Sequence, residues 1–119
     1  MKNNELKILI VDDDELVLME LEHILEGEGY ITVTAWSGEE ALRLSDAGQF
    51  HLFLIDEHLN DVNSTLLATK LRQLQPTAPL LLMSGRASSE GLPSSSDYPA
   101  VCKWEHDAVK ATVRGFLAA

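Results

Sequence analysis

The chain has 119 residues, of which 45% are hydrophobic, and this length favours a single domain with one adequate core. Its 19 acidic and 9 basic residues give a formal net charge of −10. That charge argues against direct binding to nucleic acid or to an anionic membrane, because both require a positive surface. The single cysteine cannot form an intramolecular disulfide, and no apolar run approaches the roughly 20 residues that span a bilayer. We therefore expect a soluble, cytoplasmic protein.

The first half of the chain alternates apolar strands with amphipathic helices. Residues 6–11, "LKILIV", predict a strand that is apolar on both faces. Apolar side chains at helical spacing over 17–25 predict a first helix, which the glycines that follow should end. Residues 30–35 predict the second strand. The sequence "SGEE" then predicts a capping box between Ser37 and Glu40, at the start of the second helix.

The middle of the chain continues this alternation. Residues 51–56, "HLFLID", and 79–84, "PLLLMS", predict the third and fourth strands. Between them, leucines at helical spacing up to Leu74 predict a third helix that ends before Pro76.

The last third of the chain departs from this pattern once. Residues 86–100 are rich in Ser, Gly and Pro, and we expect a fourth helix there to be short or irregular. Residues 100–103, "AVCK", predict the fifth strand, and an apolar stripe from Val109 to Leu117 predicts the last helix. This alternation, with right-handed crossovers, predicts a parallel sheet between two layers of helices.

Polar side chains stand at the carboxyl ends of four of the five predicted strands. In such sheets the functional crevice lies beyond the carboxyl ends of the strands. A single aspartate at such a position is more often an ordinary turn or cap residue. Five chemically useful side chains together make that explanation weak: Asp12, Asp13, Asp56, Ser84 and Lys103.

The three carboxylates of this set require compensation if they share one crevice. Two unit charges 4 Å apart repel by about 1 kcal/mol in water and about 4 kcal/mol at a surface-like dielectric. An all-oxygen cluster without His or Cys ligands favours a hard cation such as Mg²⁺. A carboxylate nucleophile, a metal and hydrogen-bond donors are what phosphoryl transfer to an aspartate requires.

Four motifs carry a family resemblance over almost the whole chain. In order and approximate spacing, "ILIVDDDELV", "HLFLIDEHLND", "LLLMSGR" and the lysine of "AVCK" resemble the receiver domain of two-component response regulators. The resemblance implies one receiver domain over residues 1–119, with a flavodoxin-like three-layer α/β sandwich and a parallel sheet of strand order 2-1-3-4-5. It implies a phosphoprotein that catalyses only its own phosphorylation and dephosphorylation. Its partners would be a sensor histidine kinase or histidine phosphotransfer protein and a downstream effector.

The resemblance also implies residue roles. Asp56 would be the phosphoacceptor, while Ser84 and Lys103 would contact phosphoryl oxygens, with Ser84 relocating on activation. Mg²⁺ would be bound directly by Asp13 and largely through water by Asp12. The remaining protein ligands of the ion would be Asp56 and the backbone carbonyl of His58. We interpret Asp14, which follows the acidic pair, as the N-cap of the first helix.

Several positions depart from the family pattern. Trp104 stands where proline commonly follows the lysine, so the turn there must be made differently. Ala100 occupies the position of the usual aromatic switch residue, and Asn60 and Ser64 replace a common proline and glycine. The phosphorylation chemistry therefore looks complete, while the usual output face looks remodelled.

Two other interpretations remain open at this stage. A receiver-like module could bind its partner regardless of phosphorylation, and the altered switch positions favour that. The sequence is also similar to haloacid-dehalogenase-type phosphatases, with Asp12 as nucleophile and Asp14 as acid/base. That second interpretation leaves Asp56 unexplained.

Overall fold

The computed structural model describes residues 5–85 and 98–118. Each predicted strand is confirmed to within one residue at either end. The segment between the fourth and fifth strands, predicted to contain a short or irregular helix, lies mostly outside the described residues. The described elements are β1 (Lys7–Val11), α1 (Glu15–Gly27), β2 (Ile31–Ala35), α2 (Gly38–Ala47), β3 (Leu52–Asp56), α3 (Ser64–Leu74), β4 (Leu80–Ser84), β5 (Ala100–Cys102) and α4 (His106–Leu117).

The five strands form one parallel sheet in the order β2-β1-β3-β4-β5. This is the predicted order, and it confirms the flavodoxin-like class. The order reverses between β1 and β3, because β2 lies on one side of β1 and the later strands lie on the other. The carboxyl ends of β1 and β3 are therefore neighbours at the switch point, where such sheets bind ligands.

The core consists of two apolar layers, one on each face of the sheet. Alternate side chains of a strand point to opposite faces, so Leu52 and Leu54 join the layer under α1 and α4, while Phe53 and Ile55 join the layer under α2 and α3. All four are fully buried. This explains the apolar runs in the sequence, since a central strand covered on both faces needs no polar side. Over the described ranges, none of the helices is both long and apolar enough to cross a bilayer.

A capping residue and a glycine mark the two ends of α1. Asp14 caps α1 as predicted, because its carboxylate accepts a hydrogen bond from the Leu16 amide at 3.0 Å. Gly29, just beyond α1, has a φ of 96°, a conformation that glycine adopts without strain.

Leu74 and Phe116 were predicted in apolar stripes, but they are 45% and 41% exposed. Both lie in the last turn of their helix.

The start of α2 is held by a residue that the capping-box prediction did not include. Ser37 Oγ accepts from the Glu40 amide at 3.1 Å, as predicted. The Glu40 carboxylate pairs with Arg43 at 2.6 Å instead of turning back to the cap. Asp61, from the loop after β3, accepts from the first two amides of α2 at 3.0 and 3.1 Å. The Gly38 amide is the main reason that the pKa of Asp61 lies below its usual value.

Gly38 allows this loop to approach α2 closely. A Cβ at residue 38 would lie 2.1 Å from Val62 Cγ1, so Gly38→Ala should force the loop away from the helix. We expect a loss of about 1–3 kcal/mol in the free energy of unfolding, measured by urea denaturation. The matched control is Gly115→Ala in α4, where an added Cβ meets nothing within 4 Å. That control should gain about 0.5–1 kcal/mol, and equal effects at the two sites would contradict this view.

Candidate functional site

The strand registers bring the predicted polar residues to one edge of the sheet. β1 and β3 end in register, so that Asp12 and Asp56 lie side by side. Ser84 and Cys102 are paired at the ends of β4 and β5, and Lys103 follows immediately. The Lys103 amide donates to the Ser84 carbonyl at 2.9 Å, which extends the sheet by one further bond. The predicted convergence of these side chains is therefore present.

Lys103 connects the two buried carboxylates. Its Nζ lies 2.9 Å from Asp12 Oδ2 and 3.4 Å from Asp56 Oδ2. Burial alone would lower the pKa of the Lys103 amine, but the hydrogen bond to Asp12 and the charges of both carboxylates outweigh burial and raise it. The amine therefore remains a cation, and it lies between Asp12, which follows β1, and Asp56, the last residue of β3.

The acidic cluster carries more negative charge than Lys103 can balance. One oxygen from each of Asp12, Asp13 and Asp56 lies within 4.8 Å of the others, and Asp13 is the exposed member. Three ionised carboxylates beside one ammonium leave an excess of two negative charges, which one divalent cation would neutralise. Because all the available donors are oxygens and one side is open to solvent, the cluster suits a hard divalent metal ion.

The surroundings of Asp56 raise the pKa of its carboxyl group. Burial raises its pKa, and the neighbouring charge of Asp12 raises it further, against the opposing effects of Lys103 and of the His58 amide. The His58 amide donates to Asp56 Oδ1 at 3.3 Å. In addition, Ser64 Oγ donates to the Asp56 carbonyl at 2.7 Å, which links the end of β3 to the start of α3. The side chain is thus held on a fixed backbone, and its ionised form is disfavoured.

This raised pKa predicts a stability effect with a definite sign. In metal-free buffer at neutral pH, ionised Asp56 destabilises the folded state, so Asp56→Asn should increase the free energy of unfolding. The gain should shrink as the pH falls through the raised pKa and disappear below roughly pH 4, where the unfolded carboxyl group is also protonated. Denaturant titrations at several pH values measure this. A gain that grows as the pH falls would contradict it.

The side chains of Ser84 and His58 both contact Glu57, which the sequence did not reveal. Ser84 is fully buried at the end of β4, and its hydroxyl donates to Glu57 Oε1 at 3.1 Å. The Glu57 amide donates to the Met83 carbonyl at 2.9 Å, which places Glu57 beside β4. The His58 imidazole is 88% exposed, and its Nε2 lies 3.5 Å from Glu57 Oε1. Glu57 is therefore a site residue that sequence reasoning missed.

The turn after β5 is closed without the proline that is common in the family. The Glu105 amide donates to the Cys102 carbonyl at 3.2 Å, so residues 103 and 104 form a tight turn before α4. The Trp104 ring is 53% exposed, and the Lys103 Nζ lies 5.4 Å from its centroid. That distance allows a cation–π contact, which helps to position the Lys103 ammonium.

The geometry does not fit the phosphatase interpretation. Asp12, its nucleophile, is fully buried, and its two oxygens accept from the Asp14 amide at 2.9 Å and from Lys103. Asp14, its acid/base, is exposed and caps α1. Neither carboxylate is available for the role that this interpretation assigns to it.

Comparison with known proteins identifies the class. Residues 8–97 match the family model of the response regulator receiver domain. The chain therefore belongs to the response regulator receiver domain family, and it is a receiver domain of the kind found in two-component systems. The acidic pocket of Asp12, Asp13 and Asp56 fits the phosphoacceptor site of such domains.

Three similar proteins illustrate the match. The alkaline phosphatase synthesis transcriptional regulatory protein PhoP of Bacillus subtilis is 34% identical over 80 residues, or 67% of this chain and 33% of that protein. The transcriptional regulatory protein GlrR of Escherichia coli is 31% identical over 88 residues, or 74% of this chain and 20% of that protein. The chain thus spans between a fifth and a third of the length of these curated relatives.

The third is a solved structure, the response regulator protein TrrA of Thermotoga maritima in complex with Mg²⁺–BeF. It superposes with a TM-score of 0.80 at 28% identity, over 94% of this chain and 99% of that one.

Proposed function

We propose that Asp56 accepts a phosphoryl group from a phosphohistidine of a sensor histidine kinase or a histidine phosphotransfer protein. A carboxylate oxygen of Asp56 forms a bond to phosphorus. The phosphorus–nitrogen bond breaks, and its electron pair stays on the departing imidazole. The observation that carries this proposal is the position of Asp56: only 4% exposed, within the acidic cluster and 3.4 Å from the Lys103 ammonium.

We further propose Mg²⁺ as the cation of the acidic cluster. Asp13 and Asp56 would bind it directly, together with the backbone carbonyl of His58. Asp12 would act mainly through water, which is consistent with the hydrogen bonds that both of its carboxylate oxygens already accept. The bound ion would supply positive charge to the oxygens of the transferred group.

Ser84 and Lys103 are proposed to stabilise the phosphoryl group itself. The Lys103 ammonium already contacts Asp56 and would pair with one phosphoryl oxygen. The Ser84 hydroxyl, on the neighbouring strand end, would turn towards another. The new dianion would thereby draw Ser84 inward and bias a conformational equilibrium at the end of β4. A changed protein-binding surface would then signal to a downstream effector protein or domain.

Four further parts of the proposal concern the chain as a whole. Residues 1–119 would form one receiver domain, which catalyses only its own phosphorylation and dephosphorylation. It would work in the cytoplasm, where its kinase presents the phosphohistidine. The curated relatives are transcriptional regulators by name, but a net charge of −10 supports an absence of direct nucleic-acid binding by these residues.

Intact-mass spectrometry tests the phosphorylation step. The protein is incubated with a small-molecule phosphodonor such as acetyl phosphate, with Mg²⁺ in one sample and with a chelator in the other. We expect the gain of one phosphoryl group only in the sample with Mg²⁺. No gain under either condition would contradict the proposal. It would instead favour a receiver-like module that binds partners regardless of phosphorylation, which Ala100 and Trp104 at the switch positions also favour.

A further inference from the structure

Glu57 and Ser84 form a hydrogen bond between two side chains that are both largely buried. Ser84 Oγ donates to Glu57 Oε1 at 3.1 Å, and Ser84 has no exposed surface. The Glu57 side chain is only 13% exposed, and its backbone amide is bonded to the Met83 carbonyl. The carboxylate is therefore held against the end of β4, one residue beyond the proposed phosphoacceptor. A hydrogen bond from a hydroxyl to a charged acceptor is stronger than one to a neutral acceptor.

A serine hydroxyl has a single proton to donate. In the proposed function that proton goes to a phosphoryl oxygen on Asp56, whereas in this structure it goes to Glu57. Both bonds cannot exist at the same time. Any gain from the contact between Ser84 and the phosphoryl group is therefore reduced by loss of the contact with Glu57.

We infer that Glu57 is a positioning residue that holds the Ser84 hydroxyl in the unphosphorylated state and thereby weakens the affinity of the site for a phosphoryl group. This inference rests on the proposed function and adds a regulatory element to it. His58 helps to hold the Glu57 carboxylate from the solvent side, because its Nε2 lies 3.5 Å from the same Glu57 oxygen. Glu57 acts through Ser84 and takes no direct part in the transfer.

The carboxylate of Glu57 could also oppose a phosphoryl dianion directly, by charge repulsion. The two effects differ in their dependence on Ser84. Repulsion remains when the hydroxyl is removed, whereas competition for its proton does not. A double-mutant cycle between Glu57 and Ser84 separates them.

The experiment measures binding of beryllofluoride, which stands in for the phosphoryl group on Asp56, in the presence of Mg²⁺. Binding is followed by the fluorescence of Trp104, whose ring lies beside Lys103. Glu57→Ala should tighten binding about tenfold, equivalent to about 1.4 kcal/mol. In the Ser84→Ala background the same substitution should change binding less than about twofold. Glu57→Gln should fall between, because its amide oxygen still accepts from Ser84 without a full charge.

Equal tightening in the two backgrounds would overturn the inference, because it would show that repulsion alone operates. A second measurement tests, without any phosphoryl analogue, whether Glu57 holds the Ser84 side chain in place. The χ1 rotamer populations of Ser84, from NMR couplings in the ligand-free protein, should differ between the native protein and Glu57→Ala. An unchanged rotamer would also overturn the inference. Absence of beryllofluoride binding by the native protein would instead contradict the proposed function.

Discussion

Lys103→Met is expected to lower the free energy of unfolding by about 3 kcal/mol in metal-free buffer at neutral pH. The Lys103 side chain is 10% exposed, and it contacts Asp12, which is fully buried, as well as Asp56. Removing one partner of a buried ion pair leaves the other charge without compensation, and this typically costs about 3–5 kcal/mol. Proton uptake by Asp56, whose pKa is already raised, keeps the loss near the lower limit.

The matched control is Lys110→Met in α4. Lys110 pairs with Asp107 at 3.4 Å, but the Asp107 side chain is fully exposed, so this pair should contribute less than about 1 kcal/mol. Mg²⁺ should restore much of the stability of Lys103→Met, because an ion that binds only the folded state stabilises it by mass action. Urea titrations with and without Mg²⁺ measure both effects. Similar losses for the two lysines would show that Lys103 does not neutralise the pocket.

Asp56→Asn is expected to reduce phosphoryl incorporation from a small-molecule donor by at least about a hundredfold. The amide has no anionic oxygen to attack phosphorus, whereas its size and shape preserve the pocket. The substitution should also stabilise the fold at neutral pH, so that lost phosphorylation cannot be attributed to unfolding. Intact-mass spectrometry over a time course, with denaturation curves on the same samples, measures both quantities.

Two other carboxylates serve as comparisons for Asp56. Asp12→Asn should slow incorporation without abolishing it, because Asp12 contributes charge and receives the Lys103 hydrogen bond but does not attack phosphorus. Asp61→Asn should leave incorporation nearly unchanged, since Asp61 binds the start of α2. Incorporation that survives Asp56→Asn but not Asp12→Asn would revive the phosphatase interpretation.

The sheet and the acidic pocket could be predicted because they depend on strong local patterns. The strands of the sheet are short apolar runs, and parallel strands place their carboxyl ends at one edge. Asp12, Asp56 and Lys103 are therefore expected together at this edge, and the ion-pair distances confirm it. The N-cap function of Asp14 followed in the same way from its position before an apolar stripe.

Other features depend on tertiary contacts that have no local signal. Glu57 and Asp61 are acidic residues in a surface loop, where most such side chains only meet water. Their partners, Ser84 and the amides of α2, lie 27 and about 22 residues away in the chain. The exposure of Leu74 was missed for a similar reason, because periodicity shows which face of a helix is apolar but not which of its residues a neighbouring element covers.

Borohydride reduction of the phosphorylated protein can show whether Asp56 alone accepts phosphorus. Borohydride converts an aspartyl phosphate to homoserine, and peptide mass spectrometry then locates the modified residue. We expect homoserine at position 56 and unmodified aspartate at positions 12 and 13. Homoserine at position 12, or phosphate on a residue that borohydride does not reduce, would contradict it.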